Sequence, residues 1–210
     1  YEKKLVDKLI ELNNMAVQGF TDSVNRYLHL NTPQPEELEK VNKDFYNLFR
    51  ETEKLLRLYR DQWELSLPIW HKSTEDKETT EHFYMEYLSY SRGLWQRAQD
   101  ILYLAEERKI RRAEADDPTV SCEFNHIFEM LFNVIFNATS YNQELQKKIK
   151  GEVAQIYPEP RVWSKLNRIF NEWQEKHEPT LFYMHALNEI SVITYNIRWF
   201  AKESARLLNF

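Results

Sequence analysis

Glycine is almost absent from this chain. Only Gly19, Gly93 and Gly151 occur in 210 residues, which excludes phosphate-cradling loops of the usual kind, since those need several glycines together. Cysteine is scarcer still. Cys122 stands alone, so no intrachain disulfide can form, paired Cys-x-x-Cys motifs are ruled out, and a reducing, cytoplasmic setting is expected. Long apolar runs are missing as well. A bilayer span needs about 18–20 apolar residues, and the nearest approach, Phe124 to Ala138, is interrupted by Asn125, His126, Glu129, Asn133 and Asn137. That segment reads as a core helix. No secretory signal pattern opens the sequence; because it starts at Tyr1 rather than Met, a signal or membrane anchor upstream stays open.

Positive charge is not in excess. The net charge is −5, whereas neutralising phosphates requires clustered Lys and Arg, so no nucleic-acid partner is expected. What the chain does have is charge and rings together. Charged residues make up 29% and aromatics 14%, a mixture that fits a solvated surface over a core of large side chains rather than disorder.

Apolar residues recur every three to four positions, the signature of amphipathic helices. Leu5, Leu9, Leu12, Ala16, Phe20, Val24 and Tyr27 place a first helix at about 2–30. Asn31-Thr32-Pro33-Gln34-Pro35 breaks it, and Pro35 followed by Glu36, Glu37 and Glu39 is a favourable opening for the next. The second helix carries Leu38, Val41, Phe45, Leu48, Phe49, Leu55, Leu56, Tyr59 and Trp63, and Pro68 ends or kinks it. A third, of up to 40 residues, starts near Ser73-Thr74-Glu75-Asp76 and shows Phe83, Tyr87, Leu88, Leu94, Trp95, Ala98, Ile101, Leu102 and Ala105. At about 60 Å it is long for a chain of this size, so a break near Gly93 or fraying after Ile110 is expected.

Asp116-Asp117-Pro118 is the strongest joint. The fourth helix, from about Thr119, is apolar around much of its circumference through Phe124, Ile127, Phe128, Leu131, Val134, Ile135, Ala138, Tyr141 and Leu145, and is expected to be the most buried element. Gly151 and Pro158-Glu159-Pro160 close that region. A short fifth helix (Val162, Trp163, Leu166, Ile169, Phe170, Trp173) leads to Glu178-Pro179, and a sixth runs to the end through Leu181, Met184, Leu187, Ile190, Ile193, Ile197, Phe200, Ala201 and Leu208. The loops are short, so sequential helices should be antiparallel neighbours. The expected fold is all-α: a single domain over 1–210, an antiparallel bundle of five to seven mostly long amphipathic helices.

Candidate chemistry is sparse. Glu123-x-x-His126 has di-iron spacing, but such sites need a second Glu-x-x-His and two further glutamates, and no second motif exists. His82/Glu86 and His185/Glu189 have the i, i+4 spacing of ordinary surface pairs. Cys122 with His126 and Glu129 could form a nucleophile and its base, yet Glu123 works against a thiolate, and a lone cysteine opening an apolar helix is more often packed. Arg26-x-x-His29, and Arg168 nine residues before His177, lack the spacing of helical ribonuclease sites. Asn137-Ala138-Thr139 has the N-glycosylation pattern but lies within an apolar helix, where a glycan does not fit. No metal, cofactor or catalytic residue is assigned.

The basic run Arg108, Lys109, Arg111 and Arg112, like Lys147, Lys148 and Lys150, sits where a helix dipole favours cations, and can also meet an acidic partner. Rings at Phe83, Tyr84, Tyr87 and Tyr90, or at Phe182, Tyr183 and Tyr195, are either core or the lining of an interhelical pocket. The expected function is a non-enzymatic interaction or assembly protein that binds a protein partner or a second copy of itself through amphipathic faces. Trp70, Trp173 and Trp199 are its candidate anchors and Arg108, Lys109, Arg111 and Arg112 its candidate charged contacts. The alternatives are a small-molecule or lipid-binding bundle with an aromatic-lined pocket, and a soluble domain of a membrane-anchored parent.

Overall fold

A computed structural model describes residues 2–29, 34–66, 74–111, 118–156, 163–176 and 181–210. They form six α-helices and no strand: α1 (Glu2–His29), α2 (Pro35–Ser66), α3 (Thr74–Arg111), α4 (Pro118–Ile149), α5 (Trp163–Lys176) and α6 (Leu181–Leu208). The all-α bundle read from the periodicity is therefore what the chain forms. Among the described residues no helix is long and apolar enough to cross a membrane.

Local chemistry sets the ends. The Gln34 carbonyl accepts the Glu37 and Leu38 amides at 3.0 and 3.2 Å, so Gln34 caps α2. Pro35 sits at the first helical position, where its missing N–H costs nothing, and Glu36 and Glu37 face the positive end of the dipole. At the end of α4, Gly151 has φ of 75°, a left-handed conformation that costs glycine little. It closes a Schellman turn in which the Gly151 amide bonds the Lys148 carbonyl at 3.0 Å and the Glu152 amide the Lys147 carbonyl at 2.9 Å. Glu144 secures the chain beyond: its carboxylate accepts the Gln155 amide at 2.8 Å and Lys147 Nζ at 2.6 Å. Those bonds, the Gln155 one foremost, hold its pKa below the ordinary carboxylate value.

Directions follow from the contacts. Asn13 meets Ser91 and Tyr27 meets Arg108, so α1 and α3 run parallel. Lys8 lies by Glu51, and Trp95 by Asn42, so α2 is antiparallel to both. Helices α4 and α6 run the other way from α1: Gln146 bonds Asn14, Tyr27 packs on Phe128, and Phe20 packs on Phe200. Helices α1 to α4 alternate in direction, but the most extensive contacts are the parallel pairs α1/α3 and α4/α6. Small residues explain the first pair. Ala16, Gly19 and Ser23 on α1 and Ser91, Ala98 and Ala105 on α3 let the backbones approach.

The α1 stripe from Leu5 to Tyr27 is shut from solvent along its whole length. Helix α3 runs through Gly93 without a break and is described as far as Arg111, one residue past Ile110; of the two expected places for a stop, Gly93 is not used, because that glycine is filled from outside by a ring. Nor is α4 buried all round: Phe136 is 74% exposed, on the same face as Glu129, Asn133 and Asn137. In α2, Val41 lies at the edge of its stripe and is exposed. The aromatic residues Phe83, Tyr84, Tyr87 and Tyr90 all belong to the core, and Phe83 and Tyr84 also edge an open cleft of about 790 Å³ with Lys148 and Phe210.

Candidate functional site

The chemistry-bearing pairs do not assemble. His126 is exposed, the side chains of Cys122 and Glu123 lie outside the described residues, and no group of three or more His, Cys, Asp or Glu able to hold a metal exists among the described residues. His185 faces outward while Glu189 is buried and accepts the Tyr27 hydroxyl at 2.8 Å. His82 rests against the Phe210 ring, 5.2 Å between centroids.

The basic residues are held at helix ends. Arg108 Nη1 donates to the Tyr27 carbonyl at 2.9 Å and its guanidinium lies 4.7 Å from the centre of the Tyr27 ring. It thus supplies a donor to the last turn of α1, whose carbonyls have no partner within their own helix. Lys148 Nζ donates to the Leu207 and Leu208 carbonyls at 3.0 and 3.1 Å, doing the same for α6; burial lowers its pKa. Lys109 and Arg111 are on α3 with side chains outside the described residues, as is the Trp173 side chain on α5; Arg112 and Trp70 lie wholly outside them.

Trp199 is half-buried in the seam between α3 and α6. Gly93 is its seat: a Cβ there would stand 2.8 Å from Trp199 Cη2. Tyr90 stacks on the ring with centroids 6.0 Å apart and 23° between planes. Tyr90 is in turn fixed through its hydroxyl, 2.8 Å from Ser204 Oγ. Over the outer face lies Arg97, its Cζ 4.0 Å from the Trp199 ring centre and 6.0 Å from that of Tyr195, and Tyr195 is 64% exposed.

Arg97 is unusual among these cations. Its Nε is shut from water without a hydrogen-bond partner among the described residues, and burial lowers its pKa, opposed by Tyr195, Asp100 and Glu203. Stacking on rings accounts for its position but engages none of its five N–H donors. Trp, Arg and Tyr at one partly open seam combine large, rigid contact area with unused directional donors. Nothing in the sequence pairs Arg97 with Trp199, since they sit on different helices and meet only where α3 crosses α6.

A second feature lies between α2 and α3, an open groove of about 440 Å³ whose lining includes Phe49, Leu56, Met85, Leu88 and three arginines. Comparison of the chain with protein-family models, curated proteins and solved structures gives no match.

Proposed function

We propose that this chain is a non-enzymatic helical interaction protein that docks a protein partner, or a second copy of itself, on the α3/α6 face, with Trp199, Arg97 and Tyr195 as the anchor. The observation that carries this reading is the Arg97 guanidinium, stacked 4.0 Å over Trp199 with its Nε buried and unpaired. Part of the desolvation that makes an interfacial arginine costly has already occurred, and an incoming acceptor would meet the part of the half-buried guanidinium that is still open, the Nε itself being closed off. Trp, Tyr and Arg are the residues that dominate interface energetics. Trp70 and Trp173, and Lys109, Arg111 and Arg112, are proposed as outlying contacts. Arg108 is proposed to serve the same face only indirectly, through the end of α1 that it holds.

The test is native mass spectrometry of the protein purified from its own host, beside Tyr195→Ser and Arg97→Ser forms. The expected result is a dimer, higher assembly or stoichiometric protein complex in the parent, weakened about tenfold or more by either substitution, the size of effect typical of a hot-spot side chain. A parent that is monomeric and unaccompanied overturns the reading, as does an assembly indifferent to both changes.

A further inference from the structure

Helix α3 turns one narrow strip to solvent. Met85, Ser89, Arg92, Gln96, Asp100 and Tyr103 are all exposed, and steps of three and four residues line them up along one side of the helix. Two of them are large and mostly apolar: Met85 is 47% exposed and Tyr103 63%. The two charges are not neutralised by an ion pair among the described residues. Arg92 rests over the Phe49 ring, its Cζ 5.4 Å from the centre, which engages none of its N–H donors. Asp100 acts on Arg97 through space alone. The order of the strip is self-complementary about Gln96. Arg92 and Asp100 stand four residues to either side of it with opposite charges, and Ser89 and Tyr103 stand seven residues to either side, each with a hydroxyl. Gln96 carries both a donor and an acceptor in one amide.

We propose that this strip pairs with the same strip of a second copy of the chain, the two α3 helices lying antiparallel about a two-fold axis at Gln96. Reversing the helix end for end sets each Arg92 opposite Asp100 of the other copy and each Ser89 opposite Tyr103 of the other copy, while the two Gln96 amides meet on the axis. The Tyr103 ring, opposite Ser89, lies one turn from Met85 of the other copy and supplies an apolar contact at both ends. Charge complementarity selects the occupant: the strip already holds, in reversed order, the partners that its own groups need. Such an interface is isologous, so every favourable pair occurs twice. From Met85 to Tyr103 the strip is about 27 Å long and one helix wide, which is at the low end of interface sizes. The dimer is therefore expected to form and dissolve with concentration in the micromolar range. Trp199, Arg97 and Tyr195 are not part of the strip, so the inference stands apart from docking on the α3/α6 face.

The test is sedimentation equilibrium of the full chain beside Arg92→Glu and Asp100→Arg, each alone and then mixed in equal amounts. The expected result is a reversible dimer in the parent. Either reversal alone weakens it at least about tenfold, because repulsion replaces attraction at both symmetry-related pairs. Mixing the two variants restores the parent's affinity: the new acid of one copy faces the new base of the other, and the unaltered Asp100 and Arg92 make the second pair. The altered side chains are exposed on a helix, and matched circular dichroism checks that each variant folds. Gln96→Lys, which sets like charges face to face on the axis, is the independent variant and weakens the dimer as well. A parent that stays monomeric up to about 0.5 mM, well into the range of weak binding, overturns the proposal. So does a dimer indifferent to all three substitutions, or a mixture that fails to recover. A dimer that Tyr195→Ser dissolves and these variants do not belongs to the α3/α6 face, and it too overturns pairing through the strip. Failure of the strip leaves docking of a different protein on that face untouched.

Discussion

Two of the three glycines seat a tryptophan, and the two seats behave differently. At Gly19, Trp95 from α3 closes on α1 so tightly that a Cβ would lie 2.6 Å from Cζ3. That ring is 2% exposed, stacked on Phe45 with centroids 4.3 Å apart and 7° between planes, and its Nε1 donates to Asn42 Oδ1 at 3.0 Å. At Gly93, Trp199 makes the same approach at 2.8 Å, but among the described residues its outer face is covered by Arg97 alone. One helix-packing device thus produces a locked joint among α1, α2 and α3, and a half-open one between α3 and α6. What separates them is whether a third helix covers the ring, and the open copy is the one with spare binding capacity.

Removing the rings gives the largest contrast. Trp95→Ala should cost about 3–5 kcal/mol, the range for deleting a fully buried aromatic, with more lost because Asn42 Oδ1 forfeits its donor. Trp199→Ala should cost less, since the ring is only partly buried and only part of its transfer energy is at stake. Chemical denaturation of the two variants measures both. Equal losses would mean that Trp199 is as much a core residue as Trp95, and the α3/α6 face would lose its claim to be a docking surface.

Adding one methyl group at each seat should give different outcomes. Gly19→Ala puts a Cβ against a ring that Phe45 and Asn42 prevent from moving; overpacking costs about 1–3 kcal/mol, which exceeds the gain of about 1 kcal/mol from replacing a helical glycine. Gly93→Ala meets a ring that can swing outward, so the same helix gain should nearly cancel the strain and leave stability within about 0.5 kcal/mol of the parent. Thermal or urea unfolding reads the difference. A Gly93→Ala loss as large as that of Gly19→Ala would show that Arg97 and Tyr90 clamp Trp199 as firmly as Phe45 clamps Trp95.

The two seats also show what the sequence could reveal. The α1 stripe from Leu5 to Tyr27 was legible residue by residue, because burial against one neighbouring layer repeats with the helix itself. Pro35 and Gly151 announced ends for equally local reasons. Gly93 read as one of two places where α3 could stop, beside the stretch after Ile110, since glycine's cost to a helix is written in the chain whereas the ring that offsets it comes from Trp199, 106 positions away in the numbering. The same distance hid Arg97. Trp199 could be singled out as a large ring on the last helix, but only the crossing of α3 and α6 reveals that a guanidinium covers it. Phe136, which the α4 stripe leaves out, faces outward with Glu129, Asn133 and Asn137, as its helical spacing from them implies.

Alkaline titration separates the seats without mutation. The ring and hydrogen-bond partners of Trp95, Phe45 and Asn42, do not titrate, whereas Tyr90 beneath Trp199 is buried, and burial raises its pKa above the ordinary tyrosine value. A folded-state value above the unfolded one means that the contribution is fully present below about pH 10 and is lost as pH rises through the folded value, because the unfolded chain gives up the proton first. Tyr87, also raised by burial, adds to the loss in the same direction. Stability should therefore fall above about pH 10, and Tyr90→Phe should flatten that fall. An unaltered alkaline profile in Tyr90→Phe would move the sensitivity away from the α3/α6 seam.

The smallest expected effect on stability carries the sharpest functional meaning. Tyr195 is exposed and, among the described residues, makes no contact of note beyond its ring contact with Arg97, so Tyr195→Ser should change unfolding stability by no more than about 0.5 kcal/mol. If the open seat exists to be covered by another protein, the same substitution should still weaken assembly about tenfold, because the ring's contact area is realised only when a partner closes over it. Stability and assembly then respond independently, which a purely structural Tyr195 would not allow. At the closed seat no such separation is available: any substitution that touches Trp95 must register first in the fold.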